Sequence, residues 1–120
     1  MTLTVSKLKS MLGSTKPFEL SLSNSNGKKV LLDECVASTK LTVALLKSRY
    51  IIVFLGKKVQ DNQIVTHLNK SENSDLVIVT KDQELDSRLG YSQSLLLTGK
   101  SLKENLHLIK KFTEHTLKNI

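Results

Sequence analysis

The chain has 120 residues and a mass of 13.4 kDa, which is enough for one compact core and excludes a two-domain enzyme. Its 39% hydrophobic and 24% charged residues exclude a chain disordered along its whole length, and its single cysteine excludes an internal disulfide framework. The longest apolar run, residues 50–55, is too short to span a membrane, and the N-terminus has no secretory pattern. We therefore expect an intracellular, cytoplasmic protein with no membrane partner.

The formal net charge of +7 is concentrated in the first half of the chain. The first 58 residues contain ten Lys and Arg against three acidic residues, whereas the remaining 62 contain eight of each. A positive field of this kind attracts polyanions, nucleic acid above all, although positive charge also serves solubility. Aromatic residues make up only 4%, and tryptophan is absent, which argues against a base-stacking surface. Charge alone leaves nucleic-acid binding and simple solubility open.

The first 28 residues differ from the rest of the chain in their pattern. Residues 3–12 have apolar residues at helical spacing, and Phe18, Leu20 and Leu22 alternate as in an edge strand. We expect residues 1–28 to form an N-terminal appendage or edge element beside a domain of residues 29–120.

From residue 29 onward, short apolar runs alternate with amphipathic stretches. The predicted strands are residues 29–32, 50–55, 76–80 and 94–97, and the predicted helices are residues 39–49, 61–69, 83–89 and 101–118. Ser38 is placed to cap one helix, and Ser101 with Glu104 forms a capping-box pattern for the last. Parallel neighbours require crossover connections, so this alternation predicts an α/β fold, a three-layer α/β/α arrangement around a central parallel sheet.

Acidic residues follow three successive predicted strands. Asp33 and Glu34 follow the first, Asp61 follows the second across a short loop, and Asp82 and Glu84 follow the third. Ligands of parallel sheets bind beyond the carboxyl ends of the strands, where these acids would meet. Clustered carboxylates repel one another unless a cation joins them, and hard oxygen ligands suit Mg²⁺ or Mn²⁺. The pattern predicts a metal site at this edge.

Each acid also has a structural interpretation. Asp61 and Asp82 stand where helix N-caps stand, Asp33 could be a turn residue, and Glu84 could be an exposed acid near a helix N-terminus. Capping does not require Asp33, and the convergence of all three positions on one edge favours the metal site. Both interpretations stay open at the level of sequence.

Three segments carry a resemblance to a known family. They are Val30-Leu31-Leu32-Asp33-Glu34, then Asp61-Asn62-Gln63-Ile64, and then the ten residues from Leu76 to Leu85, Leu-Val-Ile-Val-Thr-Lys-Asp-Gln-Glu-Leu. Together they resemble the PIN-like superfamily, and in particular its small branch with a strand ending Leu-Asp-Glu and a later Val-Thr-x-Asp-x-Asp-Phe signature. The resemblance covers about residues 29–98. Glu84 stands in place of the second Asp and Leu85 in place of Phe, and residues 1–28 have no counterpart in the short branch.

The resemblance implies a function as well as a fold. Members are typically ribonucleases whose acids gather around Mg²⁺ or Mn²⁺, and many are toxins neutralised by an antitoxin. Asp33, Asp61 and Asp82 match the acids of the family pattern, and Glu34 and Glu84 match their neighbours. We therefore expect a metal-dependent endoribonuclease acting on single-stranded RNA, with an antitoxin protein or a second copy of the chain as further partners. The alternative is a catalytically silent PIN-like module that binds RNA or protein.

Basic and hydroxyl residues near the same edge are candidate contacts for the RNA backbone. Lys57 and Lys58 follow the second predicted strand, and Thr98 and Lys100 follow the last. Each of these four residues could equally be a solvated surface residue with no ligand. Cys35, two residues beyond Asp33, is predicted to be a small buried residue rather than a nucleophile.

Two other sequence patterns, a phosphate-binding Walker A loop and a phosphate-accepting response-regulator receiver, match this chain less well. Gly99-Lys100-Ser101 matches the end of a Walker A loop, but position 94 is Ser where that loop has Gly. A response-regulator receiver would have an aspartate at the end of its third strand, where this chain has Thr80, and a Lys-Pro pair that this chain lacks.

Overall fold

The structure is a computed structural model that describes residues 3–73, 75–89 and 93–118, with side chains of the last helix described as far as residue 114. The predicted strands and helices are present, several of them shorter than predicted. In chain order they are α1 (Val5–Leu12), β1 (Phe18–Leu20), β2 (Lys29–Leu32), α2 (Thr39–Lys47), β3 (Ile51–Phe54), α3 (Asp61–Leu68), a 3-10 turn (Ser71–Asn73), β4 (Val77–Thr80), α4 (Gln83–Ser87), β5 (Ser94–Leu96) and α5 (Leu102–Lys118).

The five strands form one mostly parallel sheet in the order β1-β3-β2-β4-β5. Leu31 of β2 lies opposite Val53 of β3 on one side and Ile78 of β4 on the other, with all three strands parallel. The prediction that the acids following these strands meet at one edge requires the strands to be neighbours, and their pairing shows that they are. From β2 the chain adds β3 on one side and β4 on the other, so the carboxyl ends of β2 and β4 flank the point where the direction of winding reverses. Open α/β sheets form their binding crevice at such a point.

Alternation along the strands divides the core between the two faces of the sheet. One cluster groups Leu32 of β2 with Leu45 of α2 and Ile109 of α5. Another groups Leu31 with Ile64 of α3 and other residues of the opposite face. The sheet is therefore buried by α2, α3 and α5. Among the described residues, no helix is both long and apolar enough to cross a membrane.

β3 is less buried than its unbroken apolar sequence predicts. Ile52 and Phe54 are buried, while Ile51 and Val53 on the other face are half-buried. The strand has the edge strand β1 as one neighbour, so its cover is thinner than that of central β2. A continuous apolar run thus marks a strand without fixing how completely each face is covered.

The N-terminal segment is built into the sheet edge. β1 pairs antiparallel with β3, and Leu8 and Leu12 of α1 are buried in a cluster with Phe54. Glu19 of β1 forms an ion pair with Lys29 of β2 at 3.4 Å. Residues 5–20 therefore complete the core beside β3 and α2.

Gly56 shapes the loop that leaves β3 toward α3. Its φ is +103°, and a Cβ built on it would lie 2.2 Å from the carbonyl oxygen of Thr15. The next amide, that of Lys57, donates to the carbonyl oxygen of Ser14 at 2.9 Å. Only glycine permits this approach, so the loop is held against the N-terminal segment.

We expect Gly56→Ala to lower the free energy of unfolding by more than about 2 kcal/mol, because alanine adds both a strained φ and a backbone clash. Gly27→Ala is the matched control: its φ is +80°, but a Cβ there meets nothing within 4 Å, so its cost should be about 1 kcal/mol. Urea unfolding measures both values. Equal losses would show that the contact with Thr15 does not restrict position 56.

Candidate active site at the carboxyl edge of the sheet

Asp33 is fixed at the point where β2 ends. Its amide donates to the carbonyl oxygen of Val79 at 3.1 Å, and its own carbonyl accepts from the amide of Val36 at 3.0 Å. Its Oδ1 accepts from the amide of Glu34 at 2.9 Å, and its Oδ2 accepts from Thr80 Oγ1 at 2.6 Å. Asp33 is therefore a turn residue, and its side chain also reaches across to the end of β4.

Thr80 and Asp82 organise the end of β4. The Thr80 side chain is completely buried, and its Oγ1 accepts from the amide of Asp82 at 3.0 Å while donating to Asp33. Asp82 caps α4, since its Oδ1 accepts from the amides of Glu84 at 3.0 Å and Leu85 at 3.2 Å. The capping interpretation of Asp82 is confirmed. Glu84 is exposed in the first turn of α4, as its structural interpretation predicted.

Asp61 is the first residue of α3, and the N-cap is Gln60. The prediction that Asp61 stands at the cap is wrong by one position, because Gln60 and Gln63 form a reciprocal capping box that needs no aspartate. Asp61 accepts no hydrogen bond from any residue that the structure describes. Partial desolvation raises the pKa of its carboxyl, and the negative charges of Asp82 and then Asp33 raise it further.

Two further residues that affect the pKa of Asp61 are Glu84 in α4 and Arg88 at the C-cap of α4. Arg88 opposes the rise in pKa, and Glu84 adds to it. Arg88 Nη2 donates to Asn62 Oδ1 at 2.7 Å, which holds this guanidinium beside the amino end of α3. Acids from the ends of β2 and β4 and from the start of α3 thus interact electrostatically at one edge.

Glu34 lies on the same edge but faces the loop after β3. Its Oε2 accepts from the amide of Lys58 at 3.4 Å, and Lys58 has a φ of +64°. The residues Lys57 and Lys58 are exposed. The loop therefore places two cations next to the residue that follows Asp33.

Thr98 and Lys100 are exposed beyond the end of β5, which runs parallel to β4. The predicted capping pattern at the start of α5 is present in altered form. Ser101 Oγ accepts from the amide of Glu104 at 3.1 Å, but Glu104 Oε2 accepts from the amide of Lys100 at 3.0 Å instead of that of Ser101.

Cys35 is exposed, so the prediction that it is buried is wrong. The chain turns away from the core after β2, and the thiol extends along the edge, where Sγ donates to Asp33 Oδ2 at 3.2 Å and accepts from the amide of Lys81 at 3.4 Å. Partial burial is the main cause that raises the pKa of this thiol. Cys35 is therefore a neutral hydrogen-bond donor to Asp33 at neutral pH.

The acids form an open cluster rather than an assembled metal centre. Within residues 3–73, 75–89 and 93–118, no three His, Cys, Asp or Glu side chains lie close enough to hold a metal ion. The carboxylates of Asp33 and Asp82 affect the pKa of Asp61, but they would have to move closer to it before all three could bind one cation. Thr80 and Cys35 belong to this edge through their bonds to Asp33. Thr80 lies within the Val-Thr-x-Asp pattern, but that pattern predicts no role for it, and no motif includes Cys35.

Comparisons with known proteins leave the question of family open. No family model matches the chain, and no curated protein or solved structure matches it. The functional argument therefore depends on the geometry of the edge.

We expect Thr80→Val to lower the free energy of unfolding by about 2 kcal/mol, because Asp33 loses a hydrogen bond to a charged oxygen and the Asp82 amide loses its acceptor. Thr42→Val is the control, since Thr42 is equally buried but bonds only to the carbonyl of Ser38. Its loss should be about 1 kcal/mol. Thermal unfolding compares the two, and equal losses would contradict a special role for the hydroxyl of Thr80.

Proposed function

We propose that the chain is a metal-dependent endoribonuclease of PIN-like type that cleaves single-stranded RNA. The observation that carries the proposal is geometric: β2 and β4 are parallel neighbours, and the hydrogen bond from Thr80 Oγ1 to Asp33 Oδ2 at 2.6 Å joins the acids that follow them at one edge. The proposal includes the three-layer α/β/α arrangement of that superfamily. Helices that bury opposite faces of the sheet support it.

The donor chemistry of the edge fits Mg²⁺ or Mn²⁺. Asp33, Asp61 and Asp82 offer hard carboxylate oxygens, and Glu34 and Glu84 stand beside them. A cation would remove the repulsion that Asp61 experiences from Asp82 and Asp33. Of the three aspartates, Asp61 is the most available ligand, because no described hydrogen bond occupies its oxygens, whereas those of Asp33 and Asp82 are engaged.

The residues of the edge would have different roles in phosphodiester hydrolysis. A divalent cation supplies charge neutralisation and lowers the pKa of water, which is the chemistry that hydrolysis of this bond requires. Asp33 and Asp82 would be held in place by Thr80 and by the first turn of α4. Lys57 and Lys58 would hold the RNA backbone on one side of the edge.

A second candidate function is a catalytically silent PIN-like module that binds RNA or protein. The observation that favours it is the open acid cluster, in which Asp33 and Asp82 already serve the turn after β2 and the cap of α4. Such a module would keep the basic loop and lack metal-dependent cleavage. Divalent-ion-dependent cutting of single-stranded RNA, lost on chelation, separates the two functions.

The proposed setting of a toxin-type nuclease is the cytoplasm, and its proposed partners besides RNA are an antitoxin protein and a second copy of the chain. An antitoxin that blocks the acidic edge would protect RNA from cleavage. This outcome requires the nuclease function and would be absent for the silent module.

We expect Asp61→Asn to reduce metal-dependent cleavage by at least about a hundredfold, because one ligand is lost. Its stability without metal should stay within about 0.5 kcal/mol of the parent, since Asp61 makes no described hydrogen bond. Asp75→Asn is the control: Asp75 is exposed before the amino end of β4, at the opposite edge, and should keep full activity.

The same pair of variants tests metal binding without an activity assay. Mn²⁺ at about 100 times its dissociation constant should raise the unfolding free energy of the parent and of Asp75→Asn by roughly 2.7 kcal/mol. Asp61→Asn should lose most of that increment. An increment of equal size in all three proteins would place the metal elsewhere and contradict the proposed site.

We expect Lys57→Ala combined with Lys58→Ala to flatten the salt dependence of RNA binding by up to about two units of slope, because each phosphate contact releases roughly one counterion. Binding is measured with chelator present, so cleavage does not interfere. Replacing Lys28 and Lys47 removes the same charge at the opposite edge, beside the amino end of β3, and should change the slope less. Equal changes would show that only net charge matters.

A further inference from the structure

A small pocket lies next to the acidic edge and is not part of the acid cluster. Its volume is about 260 Å³, and it lies beyond the end of β5, between the amino ends of α2 and α5. Cys35 forms part of its wall, and Cys35 Sγ donates to Asp33 Oδ2 at 3.2 Å. The pocket and the candidate metal ligands are therefore separated by a single side chain.

Three lysines from three different segments line this pocket. Lys40 lies in the first turn of α2, Lys81 follows β4, and Lys100 precedes α5. None of them forms an ion pair with a described residue. Like charges that share one pocket repel one another, and an anion between them would relieve that repulsion.

The position of Lys40 strengthens the case for an anion. The amino end of a helix carries partial positive charge, where an acidic side chain is favourable and a lysine is not. The first turn of α2 contains no acidic residue. The helix end and the three lysines thus add their positive potentials at the same place.

Polar side chains that can donate hydrogen bonds line the same pocket. Ser38 and Ser101 accept the amides of Leu41 and Glu104 through their oxygens, which leaves each hydroxyl proton available to a ligand. Asn105 also lines the pocket, and its Oδ1 is buried without a partner among the described residues. This oxygen lies against Gly99 and is closed off from solvent, so the hydrogen-bond donors offered to a ligand are the two hydroxyl groups.

The size of the pocket limits what it can hold. Pockets for small molecules usually measure about 300 to 1,000 Å³, and this one is smaller. It suits one compact anionic group rather than a whole nucleoside. A phosphate group has the charge and the acceptor oxygens that the lysines and serines would satisfy.

We propose that this pocket binds a phosphate group of the RNA strand adjacent to the phosphate that is cleaved. Lys40, Lys81 and Lys100 are its charged contacts, and the pocket sets where along the strand the acidic edge acts. The identity of the strand as RNA rests on the proposed function, whereas the binding of phosphate does not.

The first experiment titrates the full chain with inorganic phosphate in the presence of EDTA and follows backbone amides by NMR. The largest shifts should fall at Ser38, Lys81 and residues 99–101. Lys40→Ala should weaken binding about tenfold, whereas Lys47→Ala, which removes the same charge from the other end of α2, should leave it unchanged. Shifts spread over all exposed lysines, or equal weakening by the two variants, would overturn the pocket.

The second experiment compares a short RNA carrying a 5′-phosphate with the same RNA carrying a 5′-hydroxyl, again without metal. Pocket shifts with both RNAs identify a backbone phosphate, and shifts with the first alone identify a terminal phosphate. If neither RNA shifts the amide signals of the pocket residues while metal-dependent cleavage is intact, the proposed phosphate site is wrong and the proposed nuclease function stands. Pocket binding in a protein that never cleaves RNA would overturn the nuclease and keep the phosphate site.

Discussion

The hydrogen bond from Thr80 Oγ1 to Asp33 Oδ2 joins the two central strands at the edge where all the candidate chemistry lies. β2 and β4 are parallel neighbours, so their carboxyl ends meet, but backbone pairing alone does not orient the side chains beyond them. One buried hydroxyl orients the side chain of Asp33 and holds the backbone of Asp82, because it donates to Asp33 and accepts from the amide of Asp82. The geometry of the acid cluster depends on this residue.

Local structure accounts for an acidic residue at some of these positions but not at all of them. Asp33 belongs to a turn and Asp82 caps α4, so each has a structural reason to be acidic. Asp61 has only the favourable potential of a helix amino end, and partial desolvation and neighbouring negative charges oppose its ionisation. A bound cation is the simplest source of compensation for this repulsion. Among the three aspartates, Asp61 is therefore the one whose position the fold itself explains least.

Charge is distributed so that the acidic edge lies among basic elements. The exposed Lys57 and Lys58 approach it from the loop after β3, and Lys40, Lys81 and Lys100 line the pocket on the other side of Cys35. A polyanion that follows this basic surface would pass the carboxylates. Repulsion from the carboxylates would oppose that path unless a cation neutralised them, so the proposed RNA binding would depend on the proposed metal site.

Hydrophobic periodicity predicted the strands, the helices and the neighbours of β2, because burial of one face imposes a regular spacing on apolar residues. It could not predict details that depend on how loops turn. Cys35 follows an apolar strand and was expected inside, yet the chain leaves the core there. Gln60, paired with Gln63, replaces Asp61 as the helix cap, and residue spacing alone does not reveal such a pair. Thr80 holds Asp33 through a hydrogen bond between residues 47 positions apart in the chain.

The pKa of Asp61 is the most direct measure of whether this edge binds a cation. It can be followed through the side-chain carboxyl carbon by NMR, in EDTA and then in saturating Mg²⁺, with Asp75 as an internal control. Because the folded protein raises this pKa, ionising Asp61 lowers stability as pH rises through its titration, and a cation should reverse that effect. A metal site predicts that Mg²⁺ lowers the pKa of Asp61, and a pKa of Asp61 that stays raised in saturating Mg²⁺ would contradict it.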